Sequence, residues 1–447
     1  MAKLFGTDGA RGVANTELTC DIAFKLGQAA VEFLGKTIVV GKDTRLSGDM
    51  LESALNAGIM SRGGTVLAAG IIPTPGVAFL TRELHADGGV VISASHNPPE
   101  YNGIKFFDGQ GFKLPDEVEA SLETFVEAGG TPVDKLPAGD EVGVVVPVEN
   151  ACDLYIDHAV SLVRDEGLSF EGLKVALDTG HGAASLTTAR ALEELGAEVI
   201  TINDDFSGTD INVQCGSTHL EPLKNLMAAT HANIGIAHDG DADRVMFVDE
   251  QGNEIDGDVV EAVCALDLKE RGLLEGNTVV STVMCNLGFT KAMQKAGIEV
   301  IQTQVGDRYV LQQLREGGFV LGGEQSGHMI FLKHNSTGDG LITACQFLSA
   351  CLRKGGLVSE VASVMQRFPQ ELINVKVSDK QAVTTNAAVQ EAIAAEEEKL
   401  GDTGRILVRP SGTEPLVRVM VEAPTHDEAK AATQAIACVI EKELGIE

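Results

Sequence analysis

The sequence predicts an α/β protein: three similar α/β domains with mixed sheets, followed by a smaller C-terminal α+β domain. Three observations carry this. A strand, loop, helix and strand pattern recurs three times between Lys36 and His328. Each repeat closes with a third apolar strand that runs straight into a polar loop. And 447 residues leave room for roughly three or four units of about 100–150 residues.

The first repeat opens with "KTIVVGKDTRLSG" from Lys36, continues with the strand "TVLAAG" from Thr65, and closes with "GGVVISASHNP" from Gly88. The second has "LKVALDTGHGAAS" from Leu173, "EVITIN" from Glu198 and "NIGIAHDGDADR" from Asn233. The third has "NTVVSTVMCNLGFT" from Asn277, "EVIQTQ" from Glu299 and "FVLGGEQSGH" from Phe319. Strand–helix–strand units imply sheets that are at least partly parallel, with ligands outside the carboxyl ends of the strands. Three such ends therefore point three loops at one shared cleft. The tail reads differently. Strand-like "LINVKV", helix-like "TNAAVQEAIAAEEEKL", then "RILVRP", a tight "SGTEP" loop, "LVRVMVEA" and an amphipathic helix from Thr425 make a separate α+β unit. The expected domains are 1–150, 151–250, 251–367 and 368–447.

The composition is that of a soluble globular protein, 44% hydrophobic and 22% charged. No run of about 18 uncharged apolar residues suggests a membrane span. The start, "MAKLFGTDGARG", has no apolar signal core, so a cytoplasmic protein is expected. Eight scattered cysteines, with no CxxC pair, argue against a zinc ribbon or a disulfide framework and for reduced, mostly buried thiols. The net charge of −31 repels nucleic acid and anionic membranes. It also repels phosphorylated metabolites, so a phosphate ester needs local basic groups or a metal cation.

The loops carry the chemistry. "SASHNPP" delivers Ser95 and His96 from a strand onto a segment stiffened by Pro98 and Pro99. The bland reading of Ser95 is a helix cap or turn hydroxyl. "DGDADR" sets Asp239, Asp241 and Asp243 at i, i+2 and i+4, so three carboxylates can converge on a hard cation such as magnesium. An EF-hand would need Gly at its sixth position and helical flanks, and this loop has neither. Lys105, in "NGIKFF", is either a sheet-edge residue or a buried proton carrier with a lowered pKa. Arg11 and Arg244 follow Gly- and Asp-rich turns and can clamp phosphoryl oxygens, although Arg244 could simply pair with its neighbouring aspartates. "RPSGTEPLVR" gathers Arg409, Ser411, Gly412, Thr413 and Arg418 into an anion nest. Glu324 and Ser326, in "GGEQSGH", suit the reading of sugar hydroxyls. His328, His181, His158, His219 and His231 read as structural or surface residues.

In fixed order, "FGTDGARGVAN", "GKDTRLSG", "SASHNP", "NGIKFF", "CGSTH", "DGDADR", "VGDRYV", "GGEQSGH", "TGDG" and "RPSGTEPLVRVMVE" span the chain and resemble the α-D-phosphohexomutase family. The resemblance implies four domains around a central cleft and reversible phosphoryl transfer on a sugar phosphate. It implies that Ser95 is carried as phosphoserine and binds one Mg2+ per subunit with the three aspartates. Lys105 matches the family's acid/base lysine. Arg11 and Arg244 match its phosphoryl-contacting arginines, Glu324 and Ser326 its sugar loop, and Arg409 to Thr413 its phosphate loop. A hexosamine 1,6-bisphosphate is the implied primer and intermediate.

Two departures stand out. Ala242 replaces the usual second glycine of the metal loop, which requires a negative φ there or room for a methyl group. Asp307 and Arg308 stand where mannose-phosphate relatives tend to carry a histidine. This fits the hexosamine branch, which feeds UDP-N-acetylglucosamine and cell-wall precursors, with Asp307 favouring a cationic amino sugar. The rival readings are a glucose- or mannose-phosphate mutase and a metal-dependent sugar-phosphate phosphatase. The expected partner is a small-molecule sugar phosphate, without nucleic acid or membrane; a homodimer is left open.

Overall fold

The computed structural model describes residues 4–6, 8–411 and 414–446. They form two compact units. One runs to Met284 and resumes over Gly297–Val364; the other comprises Cys285–Ala296 and the chain from Met365 onward.

The larger unit contains three sheets built on one plan. In the first, strands run in the order Ala10–Val13, Tyr101–Asp108, Gly88–Ile92, Thr37–Lys42, Thr65–Ile71 and Val145–Pro147. Thr37–Lys42 pairs in parallel with both Thr65–Ile71 and Gly88–Ile92, and Tyr101–Asp108 returns antiparallel beside Gly88–Ile92. The second sheet repeats this with Glu198–Ile202, Lys174–Asp178, Ile234–His238 and the antiparallel Val245–Asp249. The third has Glu299–Thr303, Thr278–Thr282, Leu321–Gly323 and the antiparallel Met329–Phe331. Each sheet is thus mixed, as the sequence predicts. In each, the polar loop of interest joins the last parallel strand to its antiparallel return.

The central strands are continuous apolar runs because helices cover both faces; all five residues of Gly88–Ile92 are buried. The helices Cys20–Phe33 and Gly48–Ser61 pack backbone to backbone. A Cβ at Gly27 would stand 2.1 Å from Leu55 O, and one at Gly58 2.0 Å from Phe24 O. Thr19 caps the first of these helices by accepting from the Ile22 N–H.

The smaller unit has a three-stranded antiparallel sheet, Gln370–Lys376, Leu416–Glu422 and Arg405–Pro410, packed with the helices Ala387–Leu400 and His426–Leu444. Asn386 and Thr425 cap these helices, the latter in a capping box with Glu428. Of the eight free cysteines four are buried, three are half-buried and Cys438 is exposed, so fewer are buried than expected. No helix among the described residues is long and apolar enough to cross a membrane.

Candidate active site

Ser95 follows the buried strand Gly88–Ile92 and sits at φ +52°, a left-handed conformation that costs a non-glycine residue about 1 kcal/mol or more. No helix follows it, so the helix-cap reading fails. Its loop is held from below. The Ser93 hydroxyl donates to Asp43 Oδ2 at 2.6 Å, and the Ser95 N–H donates to Ser93 Oγ at 2.9 Å. The Ser95 hydroxyl donates to Asp239 Oδ2 at 2.6 Å and lies 3.3 Å from His96 Nδ1.

Asp239 begins the equivalent loop of the second sheet. Its carboxylate and those of Asp241 and Asp243 are buried, with one oxygen of each within 4.8 Å of the others. Asp241 Oδ2 accepts from the Thr74 hydroxyl at 2.6 Å and from Lys105 Nζ at 2.9 Å. Asp241 Oδ1 and Asp243 Oδ1 are buried without a hydrogen-bond partner. Such atoms cost about 1–3 kcal/mol each unless something binds them. Three converging carboxylates with unsatisfied oxygens are what a hard divalent cation requires, so the residues present fit magnesium.

Burial and the two neighbouring carboxylates hold the Asp239 pKa well above the ordinary value. Asp243 moves the other way, against the penalty of burial, because Lys105, His328 and Arg244 surround it. Lys105 corrects the sequence reading twice. Its strand is paired on both sides, so it is not at an edge. Burial pushes its pKa down, but Asp241, Asp8 and Asp243 outweigh that and raise it. The ammonium lies 3.0 Å from Asp8 and 3.7 Å from Asp243; it is a fixed cation. Ala242 is also decided: φ is +53°, so the position needs the left-handed conformation and bears the methyl group there.

Arg11 pairs with Asp8, and Arg244 Nε stands 3.8 Å from Asp243. His96 has its pKa lowered to about 4 by burial and by the charges of Arg244 and Arg11, so it is neutral at pH 7. The third loop meets the aspartate loop through His328, 3.7 Å from Asp243 and also 3.7 Å from Asp307 of its own domain. Burial opposes its protonation, but the neighbouring carboxylates of Asp243 and Asp307 raise its pKa overall. Asp307 pairs with Lys113, whose Nζ also lies 2.5 Å from Asp8. Glu324 accepts from the Gly306 N–H at 3.1 Å, and Ser326 is exposed.

Sequence reasoning missed Asp8, Lys113, Arg45 and the ionic role of His328. Asp8 lay within the opening motif and was legible as a candidate; Lys113 and His328 become apparent only through partners far along the chain, and Arg45 through the carbonyls of the Ser95 loop as well as its neighbour Asp43. The remaining histidines are accounted for by packing and hydrogen bonds where these are seen. His158 stacks on Phe79 at 4.5 Å, and His181 Nδ1 lies 2.5 Å from Asp205 O.

In the smaller unit, Arg409 and Arg418 face each other across the antiparallel pair. Burial and the Arg418 charge lower the Arg409 pKa. Ser411 is buried, and its carbonyl accepts from Lys380 Nζ at 2.6 Å. Gly412 and Thr413 lie outside the described residues.

Comparison with known proteins agrees with this geometry. The phosphoglucomutase/phosphomannomutase domain families match in series: alpha/beta/alpha domain I over residues 2–132, domain II over 153–252, domain III over 256–368 and the C-terminal domain over 372–438. The chain is 53% identical to a phosphoglucosamine mutase of Carboxydothermus hydrogenoformans, covering 99% of this chain and all of that one. It is 51% identical to one of Desulforamulus reducens, covering 98% and 99%. A phosphoglucomutase/phosphomannomutase family protein of Burkholderia thailandensis shares the fold at a TM-score of 0.82 and 24% identity, over 99% of both chains. Aspergillus fumigatus N-acetylphosphoglucosamine mutase, solved with GlcNAc-6P and magnesium, shares it at 0.72 and 17%, over 98% and 95%.

Proposed function

The chain belongs to the phosphoglucomutase/phosphomannomutase family, in its phosphoglucosamine mutase branch, and on that premise we propose that Ser95 is the residue through which the phosphoryl group passes. The reaction of this branch is the isomerisation of glucosamine 6-phosphate and glucosamine 1-phosphate.

One observation carries the assignment: a buried serine hydroxyl hydrogen-bonds to one of three converging carboxylates that retain unsatisfied oxygens. Asp239, Asp241, Asp243 and the Ser95 oxygen are the residues that would hold magnesium, which when bound would supply charge neutralisation to the transferred group. The chain's own residues do the rest. With Ser95 phosphorylated, the P–Oγ bond breaks as a P–O bond forms to the free sugar hydroxyl. The hydroxyl proton ends on Ser95 Oγ. We assign the relay of this proton to His96, neutral and 3.3 Å from that oxygen, and assign Lys105, held as an ammonium, to stabilising the developing negative charge. Arg11 and Arg244 stabilise the loose, charge-spread phosphoryl group. The resulting bisphosphate turns end for end, and its other phosphoryl group returns to Ser95. Glu324, Ser326 and Asp307 are assigned to the sugar, and Arg409, Ser411, Gly412, Thr413 and Arg418 to the phosphate that is not being transferred.

A coupled assay with magnesium and trace hexose 1,6-bisphosphate tests this, comparing glucosamine, glucose and mannose phosphates while following free phosphate. The expected result is preferred isomerisation of the amino sugar without phosphate release, abolished in Ser95→Ala. Steady phosphate release without isomerisation would make water the acceptor and overturn the reading.

A further inference from the structure

The backbone around Ser95 is gripped by two side chains from loops of different domains. Arg45 is fully buried, and its Nε donates to Asp43 Oδ2 at 2.9 Å. Its Nη2 donates to the carbonyls of Ser95 at 3.0 Å and Asn97 at 2.8 Å, and its Nη1 to that of Tyr101 at 2.9 Å. From the second α/β domain, Asn212 Nδ2 donates to the same two carbonyls, Ser95 at 2.9 Å and Asn97 at 3.2 Å. Facing two carbonyl oxygens, the Asn212 amide must present its NH2 group. Asn212 itself sits at φ +61°, and its N–H donates to Gly180 O at 3.0 Å.

This concentration of donors has a purpose that plain loop packing does not require. Ser95 is in a left-handed conformation that its side chain disfavours, and such a conformation persists only when its surroundings over-determine it. Fixing the Ser95 carbonyl fixes the peptide plane after it, and with it the direction of Oγ toward Asp239. Asp43 completes the device, since it holds both Arg45 and Ser93, whose hydroxyl takes the Ser95 N–H. Both sides of the Ser95 backbone are thereby tied to one buried ion pair.

We propose that Arg45 and Asn212 are positioning residues: a two-sided clamp on the Ser95 and Asn97 carbonyls that aims the Ser95 hydroxyl and so sets the rate of phosphoryl transfer. The clamp rests on Ser95 being the phosphoryl carrier. Neither residue needs to touch the sugar. Loss of aim therefore appears in kcat, because a displacement of about 1 Å at a reacting group can cost on the order of 100-fold, whereas KM reports contacts that the clamp does not make.

The test uses the full-length enzyme with three replacements. Asn212→Gly removes the donor and tolerates the positive φ. Asn212→Asp keeps the shape and turns an acceptor toward two carbonyls. Arg45→Lys keeps the charge beside Asp43 and loses the fork. Expected are kcat losses of about 10- to 100-fold for Asn212→Gly and Arg45→Lys, and more for Asn212→Asp, with KM for glucosamine 6-phosphate within about threefold. The 31P resonance of the enzyme phosphorylated by glucose 1,6-bisphosphate should shift in each, which a purely structural role elsewhere would not produce. Should Arg45→Lys fail to fold, the two Asn212 variants carry the test alone. Wild-type kcat with an unmoved 31P resonance in the folded variants, or a raised KM at unchanged kcat, overturns the clamp. Ser95→Ala separates the two ideas: if it stays active the carrier assignment fails, and if it is inactive while the clamp variants are normal only the clamp fails.

Discussion

The Ser95 hydroxyl donates to Asp239 Oδ2 at 2.6 Å across 144 residues of sequence. Asp239 is buried beside Asp241 and Asp243, and burial together with these two carboxylates raises its pKa, against the opposing charge of Arg244. The nucleophile is thus bonded to a carboxylate that its buried, acidic surroundings make hard to keep ionised. Folding brings these groups together at a cost that a bound cation would offset.

That cost is measurable. Asp239→Asn should make the metal-free protein more resistant to urea than the parent, because it removes one of three crowded buried carboxylates. Magnesium should stabilise the parent, by about 2.7 kcal/mol at one hundred times Kd, and the variant far less. Urea melts with EDTA and with magnesium decide it; equal magnesium stabilisation of both proteins would remove Asp239 from the metal site.

Ala242 bears a methyl group at φ +53°. Ala242→Gly should raise stability by about 0.5 kcal/mol, since relief of left-handed strain exceeds the added freedom of the unfolded chain. Ala242→Val should lower it by about 2 kcal/mol, because a β-branched residue tolerates that region poorly. Thermal melts of both check the sign, and kcat of Ala242→Gly should stay within about twofold of the parent.

Asp307 is paired with Lys113 and lies 3.7 Å from His328, so a substrate ammonium would compete with both for it. Asp307→Asn should lower the ratio of kcat/KM for glucosamine 6-phosphate over glucose 6-phosphate about tenfold, the equivalent of about 1.4 kcal/mol. An unchanged ratio would take Asp307 out of sugar selection.

His334 has its pKa lowered to about 4, chiefly by burial and then by His158. A histidine harder to protonate when folded leaves the unfolded chain holding more protons between about pH 6.5 and 4. Its contribution is therefore intact above about pH 6.5 and is lost as pH falls toward 4, at no more than about 1.4 kcal/mol per pH unit. Denaturation from pH 7 to 5 should show a smaller decline in His334→Gln than in the parent; parallel declines would contradict the assignment.

The repeat of apolar strands, the three loops that follow them and the i, i+2, i+4 aspartates were legible because each is set by neighbours in sequence. A strand announces itself by its own residues, and alternate positions of a short loop converge whatever surrounds them. The C-terminal sheet and its helices were legible for the same reason.

What tertiary structure decided concerns partners and signs. Lys105 looked like a lysine whose pKa burial would lower; Asp241 and Asp243 from one loop and Asp8 from near the N-terminus raise it instead. His328 looked structural until Asp243 and Asp307 flanked it. The positive φ of Ser95 and the grip of Arg45 and Asn212 on its carbonyl left no local signature. By itself the sequence determined which side chains would stand on loops at the strand ends. Only the folded chain determined which charges meet there, because an electrostatic shift takes its sign from the sum over every group within a few ångströms, and those groups are remote in sequence.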